Sequence, residues 1–181
     1  MPSRNAPAPT VLIVPGLGGS GPDHWQSLWE KHEPAFRRVE QADWDKPALD
    51  EWVNTLEAAV QAAGGPVVLV AHSLACSLVS HWAGRGSVNR IAAALLVSPA
   101  DVDSEAHTPP EVRVFSLMPL TPLSFPAVVV ASANDPYVDA ERAREFARSR
   151  TRNWWKSAIR VISTRRPGMA NGERAAHSWL E

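Results

Sequence analysis

Val67 to Cys76 reads Val-Val-Leu-Val-Ala-His-Ser-Leu-Ala-Cys. An apolar run that ends in a serine between small residues is the layout of a strand turning sharply into a helix, with the serine exposed as a nucleophile. The usual pattern is Gly-x-Ser-x-Gly, and here Ala71 and Ala75 stand in the two glycine places. Small residues are needed there because the tight turn brings backbone and neighbouring elements close. Ser73 is therefore a candidate nucleophile for acyl transfer, or else it only caps the following helix. Acyl transfer needs backbone N–H groups aimed at the developing oxyanion. Leu74, just after the serine, could supply one. Leu17, in Pro15-Gly16-Leu17-Gly18-Gly19, could supply the other. The same glycine-rich loop could instead hold phosphate, although it lacks the Lys-Ser/Thr of a P-loop and the full Gly-x-Gly-x-x-Gly spacing. Asp135, in Asn134-Asp135-Pro136, follows a later apolar run and is placed to hold an imidazole in the correct tautomer. It also fits an Asx turn before proline, and both roles can hold at once.

Other reactive side chains fit blander roles. Cys76 lies one helical turn past Ser73 and is expected in the core. His72 is expected to point away from Ser73 and to be structural. His24 and His32 flank a tryptophan-rich segment without metal-ligand spacing to a third group, so no metal site is expected. Trp25 and Trp29 read as core, although His24 and Trp25 stand close enough to the glycine-rich loop to line a cleft.

These residues need elements to position them. Val11 to Gly16, Val67 to Ala71, Ile91 to Ser98 and Ala127 to Ser132 read as buried strands, with Phe36 to Gln41 a mixed edge strand. Asp23 is a plausible N-cap for a helix through Trp25, Leu28 and Trp29. Leu49, Trp52, Val53, Leu56, Ala59 and Val60 recur at helical spacing, which predicts an amphipathic helix over 48–63 ended by Gly64-Gly65-Pro66. Helices are also expected over 73–82 and 139–148. Thr108 to Pro126 is proline-rich and reads as a surface loop. Strands alternating with helices predict an α/β fold, a doubly wound and mostly parallel sheet with ligands at the carboxyl ends of the strands.

The bulk properties set limits. At 181 residues a single domain is expected. The net charge of −1 argues against a nucleic-acid or membrane-surface role, and no apolar run is long enough to suggest a membrane span. One cysteine excludes an internal disulfide framework and fits a reducing compartment, so a cytoplasmic location is expected. The charge is unevenly spread: residues 1–148 hold 11 Lys+Arg and 17 Asp+Glu, whereas 149–181 hold 7 and 2. The expected division is a leader over 1–10, an α/β domain over 11–148 and an atypical basic tail over 149–181.

Further residues complete a pattern: Pro15-Gly16, Ser20, His24-Trp25-Gln26 and Trp29; Asp43-Trp44, Pro47 and Trp52; Ala71-His72-Ser73-Leu74 and Cys76; Ser132, Asn134-Asp135-Pro136-Tyr137 and Ala143. Together they resemble the small serine hydrolases of the retinoblastoma-binding-protein-9 and YdeN group, over about residues 10–148. The resemblance implies a compact α/β-hydrolase fold without a large lid and a Ser-Asp-His triad. It supports Ser73 as nucleophile and Asp135 as acid. It implies activity on small acyl esters, a small-molecule acyl substrate and no cofactor; a protein partner is not readable.

The family's histidine lies in a Gly-His-Ile/Leu-Asn-Ala segment, followed by a Gly-x-Gly-Asp/Glu-Trp segment. Neither is present. The only histidine after Asp135 is His177, without a preceding glycine. The genetic code offers a reason. Codons for Asn153 to Val161, read one base earlier, permit Glu-Leu-Val-Glu-Ile-Gly-Asp-Pro-Gly-His. The same frame permits Leu-Asn-Ala across Ile162 to Arg165 and His-Gly-Glu-Trp across Gly168 to Gly172. The expectation is a frameshifted tail from about residue 149, its activity impaired for want of the base. The alternative is a divergent C-terminal helix and strand. A second functional expectation, of another class, is a catalytically inactive binding protein that keeps the cleft.

Overall fold

The computed structural model describes residues 8–132 and 135–149, and the backbone of a strand at 159–162. Strands β1 (Thr10–Val14), β2 (Arg37–Arg38), β3 (Val67–His72), β4 (Ile91–Val97), β5 (Ala127–Ser132) and β6 (Ile159–Ile162) form one sheet in the order β2-β1-β3-β4-β5-β6. Every neighbouring pair is parallel. Helices α1 (Trp25–His32), α2 (Leu49–Ala62), α3 (Leu74–Ala83) and α4 (Ala140–Ser149) lie in the connections.

The chain steps from β1 outward to β2, then returns past β1 to β3. Right-handed crossovers therefore place α1 on one face and α2, α3 and α4 on the other. The two cores follow this division. Leu12, Val14, Leu69, Ala71, Leu96 and Val129 pack with α2, α3 and Phe146 of α4. Ile13, Val70, Val97 and Val130 pack with Trp25 of α1. The strands are apolar on both faces because both faces are covered. The direction of winding reverses between β1 and β3, so the crevice for a ligand falls at their carboxyl ends.

Three local expectations need correction. The cap of α1 is His24, whose Nδ1 accepts the Gln26 N–H at 3.3 Å, and not Asp23. A turn closed from the His24 N–H to Gly21 O at 3.0 Å leaves Asp23 exposed before the helix begins. The edge strand is two residues long, because after Val39 N–H reaches Ile13 O the chain leaves β1. Residues 108–126 are more than a surface loop. They contain a 3₁₀ helix at Pro110–Phe115 and bury Val112, Phe115, Met118, Leu123 and Phe125 against α3 and the core. No helical lid is inserted there among the described residues. In the basic tail, β6 runs parallel beside β5. Among the described residues, no helix is long and apolar enough to cross a membrane.

Candidate active site

Ser73 sits between β3 and α3 with φ 54° and ψ −120°, a conformation L-residues rarely adopt. Its side chain makes no cap hydrogen bond to α3. The bend is held by Ser73 N–H to Val97 O and Cys76 N–H to Ser73 O, both 3.0 Å. Ala71 and Ala75 are fully buried, which is the packing that required small residues in this window. Leu74 is the first residue of α3, so its N–H has no intrahelical acceptor.

The loop after β1 lies against this bend. A Cβ added at Gly16 would come 2.9 Å from His72 O, 3.1 Å from Leu74 N and 3.3 Å from Ser73 Cβ. Only a glycine lets the loop approach so closely. Leu17 follows, in a short 3₁₀ turn with Gly18 and Gly19 at φ 75° and 71°. Gly18 and Gly19 spend their N–H groups on Trp44 O at 3.0 Å and Gly16 O at 3.1 Å. The loop thus brings Leu17, partly exposed, beside the Ser73 turn.

Asp135 follows β5, two strands from β3, at the same end of the sheet. It is buried, and its Oδ1 accepts the Tyr137 N–H at 2.9 Å, so the Asx turn is formed. Ser73 and Asp135 therefore lie on the same rim. His177 lies outside the described residues.

Four further histidines are engaged elsewhere, and His32 is exposed at the end of α1. His72 and His24 face each other with ring centroids 4.6 Å apart, on the α1 side. Burial, then the neighbouring His24, pushes His72 down to about 3. Burial, then the Arg38 charge, pushes His24 down to about 4. Both are neutral at pH 7 and too weakly basic to match a general base at that pH. Trp25 is buried in the α1-side core, and His24 beside it is half-buried. His107 spends Nδ1 on Pro136 O at 3.1 Å and Nε2 on Asp139 at 3.2 Å. His81 Nε2 lies 2.9 Å from Phe115 O. Among the described residues, no imidazole is hydrogen-bonded to Ser73. Among them, too, no group of three or more His, Cys, Asp or Glu could hold a metal ion. Cys76 is buried, with Sγ 3.7 Å from Ala71 O and 3.6 Å from Val97 O.

The sequence quoted Gln26 and Trp44 only as parts of a pattern, and Arg38 was not singled out. All three hold the glycine-rich loop. The available signal was a carboxamide beside Trp25 in a helix that immediately follows that loop.

A parallel sheet wound in both directions, with a strained serine turn at the switch point and a glycine loop against it, defines an α/β-hydrolase. The chain belongs to the family described as Serine hydrolase, which matches residues 11–163. Residues 164–181, His177 among them, fall outside that match. A YdeN-like hydrolase from Pectobacterium atrosepticum shares 31% identity at a TM-score of 0.71, covering 85% of this chain and 76% of the other. The ydeN gene product of B. subtilis is 19% identical at a TM-score of 0.64, covering 87% and 86%. A monoacylglycerol lipase from Paleococcus ferrophilus, 13% identical at 0.68 over 97% and 94%, shares the fold. None of the curated proteins matches this sequence.

Proposed function

We propose that this chain descends from serine hydrolases that cleave small esters or related acyl bonds, with Ser73 as nucleophile. The observation that carries the reading is the Ser73 backbone at φ 54°, ψ −120°, its side chain not used as a cap, with Gly16 packed against the Leu74 N–H. In this mechanism Ser73 Oγ bonds to the acyl carbon. The carbonyl electrons move to oxygen, where the Leu17 and Leu74 N–H groups receive them. An imidazole, oriented by Asp135, takes the serine proton and passes it to the leaving alcohol as the C–O bond breaks. Water then attacks the acyl-serine by the same route in reverse. The substrate is a small acyl compound, no cofactor takes part, and the setting is cytoplasmic.

The base is the weak member. His177 completes the triad only if it reaches the Ser73–Asp135 rim. Without an imidazole the serine hydroxyl is a poor nucleophile near neutral pH. Activity is then lower than that of an intact triad by roughly 10⁴–10⁶. The missing Gly-His-Leu-Asn-Ala segment favours a second reading: a catalytically inactive protein of this fold that binds a ligand or protein partner in the retained cleft. A fluorophosphonate probe separates the two. Labelling of the wild-type chain that disappears in Ser73→Ala supports the hydrolase. Absence of labelling at any pH and probe concentration leaves the binding protein. A series of p-nitrophenyl esters then measures acyl-length preference in a labelling chain.

A further inference from the structure

Gln26 is fully buried, yet it is a polar residue in the first turn of α1. Its carboxamide uses every group it has in one direction. Nε2 donates to Val14 O at 3.2 Å and to Val70 O at 3.0 Å. Oε1 accepts the Ser20 hydroxyl at 2.7 Å. The two backbone carbonyls can only accept, and the hydroxyl can donate, so this arrangement satisfies all three partners.

The partners are not a random set. Val14 is the last residue of β1 and Val70 stands opposite Ile13 in β3, so the amide nitrogen bridges the two strands near their carboxyl ends, where the ladder stops. Val14 and Ser20 flank the loop Pro15–Gly19. One side chain therefore ties both ends of the loop together, and ties them to β3 three residues before Ser73. Around it the loop's far end is held again: Ser27 Oγ donates to Ser20 O at 2.7 Å, and Arg38 reaches Gly19 O and Ser20 O. Trp44 O holds Gly18, and the Trp44 ring lies so close that a Cβ at Gly19 would meet it at 2.8 Å. A carboxamide that merely filled a gap in the sheet would need Val14 and Val70 alone. The third bond, to Ser20, is what connects it to the loop.

We infer that Gln26 is a positioning residue for the oxyanion site: through Ser20 and Val14 it fixes the Leu17 N–H relative to Ser73. This rests on the proposed hydrolase reading. Electrostatic stabilisation of an oxyanion depends on donors placed in advance, and a shift on the order of 1 Å in a positioned group can cost about 100-fold in rate.

The test measures the fluorophosphonate reaction of the full chain, resolved into a binding constant and a bond-forming rate constant, with Ser73→Ala as control. Where the wild type labels at Ser73, Gln26→Met is expected to lower the bond-forming constant about 30-fold, with binding changed by less than about twofold. Ser20→Ala, which keeps both strand contacts and guards against a Gln26 variant that fails to fold, is expected to lower it about tenfold. The double variant is expected to be no slower than Gln26→Met, because both act through one contact. Rates equal to wild type in both single variants overturn the inference and leave the hydrolase reading intact. Where the wild type does not label, the catalytic reading of the present chain fails by itself, and amide hydrogen exchange decides the inference. Gly18 and Gly19 exchanging about tenfold faster in Ser20→Ala, with Leu95 and Leu96 unchanged, sustains the clamp. Unchanged exchange at Gly18 and Gly19 overturns it.

Discussion

His72 and His24 occupy one small space on the α1 side of the elbow, with Trp25 packed edge-on to His72 at 5.9 Å between ring centroids. Neither ring is well hydrated there, and a proton on one repels a proton on the other. Their folded values, about 3 and about 4, lie below the unfolded value of 6.5. Between those limits the unfolded chain binds more protons, so stability rises with pH across that window. The contribution is complete above about 6.5 and is lost as the pH falls toward 4. Each group contributes a slope of at most about 1.4 kcal/mol per pH unit. Allowing for partial exposure and for the pair's coupling, acidification from pH 7 to 5 is expected to cost on the order of 2 kcal/mol. Urea unfolding at the two pH values measures this, and His72→Asn is expected to remove about half of the difference. An unchanged pH dependence in His72→Asn would show that the rings are not held neutral by the fold.

At the scale of elements, α2 and α3 are joined by Glu57 at the end remote from the site. Its carboxylate accepts the Trp82 indole N–H at 2.8 Å, the Ser87 N–H at 3.0 Å and the Ser87 hydroxyl at 2.6 Å. Burial works to raise its pKa, but the bonds from Ser87, Gln61 and Trp82 prevail and lower it to about 2. Its stabilising contribution is therefore present above about 4.5 and is lost as the pH falls toward 2. Glu57→Ala leaves the indole N–H of fully buried Trp82 without its acceptor and is expected to cost about 2 kcal/mol at pH 7. Chemical denaturation checks this, and a loss below about 0.5 kcal/mol would assign the contact no role. The elements themselves were largely legible. Strands buried on both faces are continuous apolar runs, so β5 falls on Ala127–Ser132 as read, and β1, β3 and β4 within a residue or two. Residues 108–126 were not legible, because Val112, Phe115, Met118, Leu123 and Phe125 reach the core without a helical or strand period. Nor was the Gln26 clamp, whose partners lie 6, 12 and 44 residues away and leave no local pattern.

At the scale of the whole molecule, the unresolved chemistry concentrates in residues 149–181. The acidic balance of 1–148 gives way there to 7 Lys+Arg against 2 Asp+Glu, although the family match runs on to residue 163. We propose that this segment is read in a shifted frame, because the neighbouring frame permits Gly-His-Leu-Asn-Ala and Gly-His-Gly-Glu-Trp in the family's order. A sheet wound in this way presents Ser73 after β3 and Asp135 after β5. The piece such a triad still needs is an imidazole on the same rim, and the neighbouring frame sets a histidine at position 162, the carboxyl end of β6. The coding DNA tests the first half: if its bases do not spell that segment one position earlier, the proposal ends there. The second half is chemical. A chain identical through Arg152 and translated thereafter in the neighbouring frame is expected to react with a fluorophosphonate at Ser73, and to hydrolyse short p-nitrophenyl esters, about 10⁴-fold faster than the present chain. Replacing the restored histidine by alanine is expected to return it to the present rate. Equal rates before and after restoration would mean that the present chain already holds its base, or that Ser73 never was a nucleophile. Labelling of the present chain against Ser73→Ala tells those two apart.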